Sequence, residues 1–175
     1  DDHLDRSQST GNQRTYTVSF WIKRGVTSGQ EYIVSAYYGN SSRYQYIRWN
    51  GDNNSDKDCL DIFSGLYSTS STSTSMAFKT NRKFRDVSAW YHIVLAVDTT
   101  QGTESNRVKI YVNGVQETSF ATATYPSQNQ QHFLNINGTA NEIGAQNSSS
   151  TLGSYLSEVV LIDGSQLAAD QFGEF

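Results

Sequence analysis

Apolar and polar positions alternate with a period of two along most of this chain, most regularly from Trp90 to Gly114. Tyr91, Ile93, Leu95 and Val97 fall on one side of an extended backbone, and His92, Val94, Ala96 and Asp98 on the other. Further on, Val108, Ile110 and Val112 alternate with Lys109, Tyr111 and Asn113. Asn113-Gly114 is a pair favoured in two-residue type I′ turns, where both central residues need positive φ. The spacing predicts a hairpin that continues through Val115 and Glu117, with the polar stretch DTTQGTESN as a surface connection.

The same period recurs elsewhere. Leu4, alone in the polar DDHLDR, predicts an edge strand or an extended arm. Tyr16, Val18, Phe20 and Ile22 alternate with Thr17, Ser19, Trp21 and Lys23 in a strand that ends at Arg24-Gly25. EYIVSAYYG, YQYIRWNG and CLDIFSGLY follow as strands, and in the second of these Tyr44, Tyr46 and Arg48 share one face while Gln45, Ile47 and Trp49 share the other. STSSTSTS, from Ser68 to Ser75, has no apolar side chain to bury and predicts a mobile loop or spacer before MAFKT resumes the strand pattern. ATATYPSQNQQ reads as a loop, and FLNING, NEIGA and SYLSEVVLIDG as three more strands. The last is apolar on both faces, which predicts a place in a sheet interior. SQLAADQFGE predicts one or two helical turns with Ser165 as N-cap. About ten to twelve short strands, with no βαβ alternation, predict an all-β antiparallel sandwich or jelly roll.

Composition narrows the function classes. A chain of 175 residues suits one domain with a sandwich-sized core. Charged residues make up only 17%, and 11 Tyr and 8 Phe supply much of the apolar mass, as a pleated surface with polar loops would use them. A net charge of −4 argues against a binder of phosphate backbones, so nucleic acid is excluded as a partner. No apolar run approaches the roughly 18 residues of a spanning helix, so no membrane insertion is expected. Cys59 is the only cysteine, which rules out an intrachain disulfide and reads as a small buried strand residue. Met76 is the only methionine, so Asp1 is not a translation start, and the chain is expected to be a domain of a longer polypeptide.

The stretches YTVSFWIKRG, FRDVSAWYHIVLAVDTTQ, RVKIYVNGVQ, YPSQN, EIG and YLSEVVLIDGSQL with FGE resemble concanavalin A-like, laminin-G-type jelly-roll domains. FRDVSAWYH and IDGSQL…FGE are similar in particular to the branch found in structural proteins of marine bacteriophages. The resemblance covers nearly the whole chain. It implies a single two-sheet jelly roll over residues 1–175, of the concanavalin A-like lectin or LamG type, ending in a short helical turn. It further implies a non-catalytic virion surface module, as in a tail fibre, capsid fibre or decoration protein, serving assembly and attachment to host-surface glycans. Its partners would be other virion proteins, further copies of itself as in a trimer, and a host glycan, with no cofactor required. The alternatives are a purely structural inter-subunit module and a polysaccharide-degrading enzyme.

Tyr37, Tyr38, Tyr44, Tyr46 and Trp49 cluster between polar loops, and aromatic faces with polar rims suit sugar rings. The candidate glycan site is therefore Tyr44, Tyr46, Arg48, Trp49 and Asn50; Arg43, Arg48 and Lys57 leave an anionic glycan or a neighbouring subunit open as partners. In GDNNSDKD, Asp52, Asn54, Asp56 and Asp58 alternate, and such oxygen ligands can surround Ca²⁺, although Lys57 and Phe63 stand where an EF-hand needs Gly and Glu. A solvated Asx-rich turn explains the same residues. A second oxygen cluster would join Asp1 and Asp2 to Asp163. His92 reads as a core or sheet-face histidine, and Glu158 and Asp163, five positions apart, do not form the paired carboxylates of a glycosidase. Sequons at Asn40, Asn53, Asn137 and Asn147 matter only on a eukaryotic secretory route.

Overall fold

The structure is a computed structural model and describes residues 3–7, 9–25, 29–38, 43–51, 55–67, 72–147 and 151–173, without the side chains of 66, 67 and 72. The strands, in chain order, are β1 (Leu4–Ser7), β2 (Thr15–Lys23), β3 (Glu31–Tyr38), β4 (Arg43–Trp49), β5 (Leu60–Tyr67) and β6 (Thr72–Thr80). They continue with β7 (Trp90–Asp98), β8 (Val108–Val112), β9 (Val115–Gln116), β10 (Phe120–Thr124), β11 (Ala140–Ile143) and β12 (Tyr155–Asp163). A single helical turn, α1 (Glu104–Arg107), sits in the DTTQGTESN connection, and a 3₁₀ turn spans Ala169–Phe172.

The strands make two antiparallel sheets packed face to face, of order β1-β11-β3-β4-β5-β6-β10 and β12-β2-β7-β8-β9. This is the jelly-roll sandwich that the strand periodicity predicts. Between the sheets, Val18, Phe20, Ile22, Ile93, Leu95 and Ile110 meet Ile33, Ile47, Trp49, Leu60, Ile62 and Phe78, all almost fully buried. The predicted hairpin forms: Asn113 and Gly114 have φ of 49° and 79°, and the Glu117 N–H donates to the Ile110 carbonyl at 2.8 Å.

Several local expectations change. SYLSEVVLIDG is not interior; β12 is the edge of the five-stranded sheet and pairs only with β2. Its second apolar face reflects covering chain: residues 165–172 cross the outer face of this sheet, with the Thr17 hydroxyl donating to the Ser165 carbonyl and accepting from the Leu167 N–H. That cover also buries Val94 and Ala96 on the outward side of β7. Thr72 to Ser75 of the polar run are strand, because the ladder with β5 satisfies their backbone without any apolar side chain; Ser68 to Ser71 lie outside the described residues. FLNING is a series of turns, and ATAT, read as loop, is β10, paired with β6. The N-cap position of the C-terminal turn is Ala168 rather than Ser165.

Candidate functional site

The outer face of the seven-stranded sheet carries a patch of aromatic rings. Alternation on β4 sends Tyr44, Tyr46 and Arg48 outward, and register places Tyr37, Ser35 and Tyr32 beside them on β3 and Gly65, Phe63 and Asp61 on β5. Tyr46 lies 5.4 Å from Phe63 and 6.2 Å from Tyr44, both near-parallel, and Tyr44 lies 5.6 Å from Phe63. Three centroids in a nearly equilateral triangle cannot form a column. The rings are shingled across the sheet, and Tyr32 closes one side edge-on to Tyr46 at 5.4 Å. Gly65 makes room for this: a Cβ there would come within 2.7 Å of the Phe63 ring and 2.5 Å of the Ser73 carbonyl. Gln30, Tyr32, Tyr37, Tyr44, Tyr46, Arg48, Gln146 and Asn147 border a hollow of about 550 Å³ over the patch.

Arg48 lies across the rings, 4.5 Å from the Tyr46 centroid and 5.4 Å from Tyr32. Its Nε and Nη2 both reach Asp61 Oδ2, at 2.9 and 2.8 Å, while Nη1 donates to the Tyr32 hydroxyl at 2.9 Å and to Gln30 Oε1. Burial works to strip the guanidinium of its proton, but Tyr46, Asp61 and Tyr32 outweigh it and hold Arg48 charged. Burial, helped by Asp61, keeps the Tyr46 hydroxyl protonated well above its usual range. The net result is an aromatic surface whose one central cation is balanced by its own carboxylate.

The structure brings together three of the five residues predicted for this site. Tyr44, Tyr46 and Arg48 are on the patch. Trp49 is not; it is fully buried against Phe84 at 4.6 Å, under the Arg24 guanidinium. Asn50 is also fully buried and braces the turn after β4, its carbonyl accepting from the Asp58 N–H at 2.7 Å. Alternation already put Trp49 opposite Tyr46, and burial decides which face is the core. Tyr37, which the sequence places in the aromatic cluster, is on the patch, whereas Tyr32 escapes sequence reasoning for a different reason. Five positions apart, they share a face only because β3 carries one extra residue between Tyr32 and Val34, a bulge with no sequence signature here.

Of the Asx run, Asp52 and Asn54 lie outside the described residues. Asp58 does not point to solvent as a calcium ligand should: its Oδ1 meets Arg24 and its Oδ2 meets Arg85, each at 3.0 Å. Burial would raise its pKa, but the two arginines win and lower it. Asp56 is paired with Lys79 at 3.0 Å. No group of three or more His, Cys, Asp or Glu that could hold a metal occurs among the described residues. Asp163 accepts from the Asn12 N–H at 2.7 Å and from Asn135, while Asp1 and Asp2 lie outside the described residues. His92 is buried with Nε2 2.8 Å from the Ser19 hydroxyl, and burial lowers its pKa against a weaker opposing pull from Glu158.

Residues 1–170 match the family described as Laminin_G_3, Concanavalin A-like lectin/glucanases superfamily. The chain belongs to this family. No curated protein is similar enough to count as a match. Among solved structures, the heptameric SAP-like pentraxin of Limulus polyphemus aligns over 97% of this chain and 72% of its own, at 20% identity and a TM-score of 0.59. Domain 4 of AbnA, a GH43 extracellular arabinanase of Geobacillus stearothermophilus solved with arabinotriose, aligns over 94% and 68%, at 15% identity and a TM-score of 0.61. The Ruminococcus gnavus IT-sialidase CBM40 bound to α2,3-sialyllactose aligns over 98% and 94%, at 13% identity and a TM-score of 0.54. At these identities the likeness is one of fold.

Proposed function

We propose that this domain is a non-catalytic glycan-binding module whose ligand lies on the half-buried rings of Tyr44 and Phe63, which the buried Tyr46 ring supports. The ring patch carries the reading: the adjoining Tyr44 and Phe63 rings, 5.6 Å apart, offer C–H contacts to a sugar, and polar side chains such as Asn147 border the hollow where its hydroxyls would lie. Similar folds solved with arabinotriose and with sialyllactose support the class of ligand. Between those two kinds of ligand, the charge balance favours the neutral one. Arg48 has its guanidinium spent on Asp61, Tyr32 and Gln30, so little is left to hold a ligand carboxylate. The resemblance of FRDVSAWYH and IDGSQL…FGE to phage structural proteins supports display on a virion surface, where repeated copies add weak sites by effective concentration. A glycan array probed with the multimerised domain tests this. Signal on neutral glycans that falls in Tyr44→Ala and Phe63→Ala, with sialylated glycans silent, is the expected result; a flat array from a folded sample defeats the proposal.

A second reading, a structural contact between subunits, is favoured by the exposed apolar side chains of Leu4 and Val160 on the edge strands β1 and β12. Light scattering separates it, since a stable monomer argues against a self-contact there.

A further inference from the structure

The covering chain 165–172 leaves one end of the five-stranded sheet open, and the side chains there are aromatic. In register across three strands stand Tyr155 on β12, Lys23 on β2 and Trp90 on β7, and one pair further along stand Ser157, Trp21 and His92. Tyr155 is 61% exposed and Trp90 42%, the highest values for aromatic side chains in the described core and surface, whereas Tyr46 is 9% exposed. The Lys23 ammonium sits between the two outer rings, 4.8 Å from Tyr155 and 5.8 Å from Trp90. Trp21 is flanked by its cross-strand partner His92, with ring centroids 5.0 Å apart. Trp21, Trp90, Ser157 and Glu158 border a shallow, open hollow of about 340 Å³.

Glu158 reaches this hollow through a backbone irregularity. The β12–β2 register slips between Ser157 and Val160, and Glu158 at that slip has φ of 53°. A bulge of this kind re-aims a side chain at a sheet edge, and a non-glycine residue in the left-handed region is disfavoured unless its surroundings fix it. Here the slip sets a carboxylate beside two indoles.

We infer that Trp21, Trp90 and Tyr155, with Lys23 and Glu158, form a second ligand site, on the sheet opposite the tyrosine patch, for a neutral polyhydroxylated ring such as a hexose or pentose. The rings and the balanced charges favour this class: a cationic ligand loses to the Lys23 ammonium what it gains from Glu158, and an anionic one the reverse, so neither has a net advantage. A neutral ring escapes both penalties: its C–H face packs on indole, Glu158 and Ser157 accept from its hydroxyls, and Lys23 donates to them. The site uses no residue of the tyrosine patch and needs no ligand there. With both occupied, one domain would bridge two glycan chains.

Intrinsic tryptophan fluorescence of the domain, titrated with arabinotriose, xylotriose, cellotriose and maltotriose in turn, tests the site, because buried Trp49 gives a constant background while Trp21 and Trp90 report. At least one sugar is expected to quench and blue-shift the emission, with affinity falling about tenfold or more in Tyr155→Ala and Glu158→Ala and unchanged in Tyr44→Ala. Tyr155 and Glu158 are exposed, so circular dichroism should show both variants folded. No response to any of the four sugars overturns the proposal. So does a response lost in Tyr44→Ala but kept in Tyr155→Ala, which would leave the tyrosine patch as the sole site. Sedimentation is the remaining arm: a dimer that Tyr155→Ala dissociates, with no sugar response, would make this face a self-contact and also overturn it.

Discussion

Gln45 on β4 donates its side-chain amide to the Tyr16 hydroxyl on β2 at 2.6 Å, a buried polar bridge between the two sheets. The same amide's oxygen accepts from the Phe133 and Leu134 N–H groups, each at 3.1 Å, so one side chain fixes the 132–134 loop and ties both sheets. Gln45→Leu keeps the volume but strands a hydroxyl and two amides in the core. Each such orphan costs about 1–3 kcal/mol, so the variant should lose about 3 kcal/mol in a urea melt, against about 1 kcal/mol for Tyr16→Phe. Equal losses from the two substitutions would show that the loop amides find other partners.

Arg24 is fully buried, with its Nη1 3.0 Å from Asp58 and 2.7 Å from the Phe84 carbonyl, and its Nε 3.8 Å from Glu31. The Trp49 ring beneath it supplies a flat wall. Removing one partner of a buried ion pair leaves the other charged and desolvated, at a cost of about 3–5 kcal/mol. Arg24→Met should therefore destabilise by that amount, and adding Asp58→Asn should restore part of it. A double variant no more stable than the single one would mean that Arg85 already compensates Asp58 or that Glu31 is the partner that matters.

How much of this was readable in the letters depends on which physical rule set each feature. Side-chain alternation has a fixed period, so β2, β4, β7 and β8, and the shared face of Tyr44, Tyr46 and Arg48, follow from spacing alone, while which face points outward does not. The type I′ turn at Asn113-Gly114 follows from the φ preference of those two residues. What was lost depended on partners far along the chain. The bulges that turn Tyr32 toward Tyr46 and Glu158 toward Trp21 arise from pairing register, and β12 is an edge strand whose sheet is crossed on its outer face by residues 165–172, a chain segment far from β2 in sequence. Trp49 and Asn50 were assigned to the glycan site by sequence proximity, which a strand does not respect. The half-buried Trp21 and the exposed Trp90 do carry a signal: each is a large ring on the polar side of its alternation, and Lys23 lies two residues from Trp21.

His132 gives the fold its pH sensitivity. It is fully buried edge-on to Tyr16, neither ring nitrogen has a hydrogen-bond partner, and burial pushes its pKa down to about 4 from the 6.5 of an ordinary histidine. Between those values the unfolded chain takes up a proton that the folded one refuses, so stability falls as pH drops from 6.5 toward 4. The loss from this residue is about 3 kcal/mol across that window. Glu31 acts in the opposite sense, since burial raises its carboxyl pKa and protonation at acid pH relieves a charge held in the core. In His132→Phe the downward slope should flatten, and the variant should be more stable than the parent at pH 5 by urea denaturation. An unchanged slope would assign the sensitivity to other groups.

Asp61 sets the charge of the tyrosine patch, because Oδ2 alone engages two nitrogens of Arg48. In Asp61→Asn the amide oxygen can still accept from the guanidinium, so Arg48 keeps its position over Tyr46 while its charge becomes unbalanced. An unbalanced guanidinium in a half-buried aromatic hollow attracts carboxylates, and the charge-assisted bond to such a ligand is about twice as strong as a neutral one. The substitution should therefore switch the array pattern, adding signal on sialylated or uronic-acid glycans and leaving neutral ones equal or weaker. The gain should fade with added salt if Arg48 is the cause, since screening acts on the new charge and not on ring stacking. A folded Asp61→Asn protein with the parental pattern would show that the hollow selects by shape, and that the Arg48–Asp61 pair serves only to hold the rings in place.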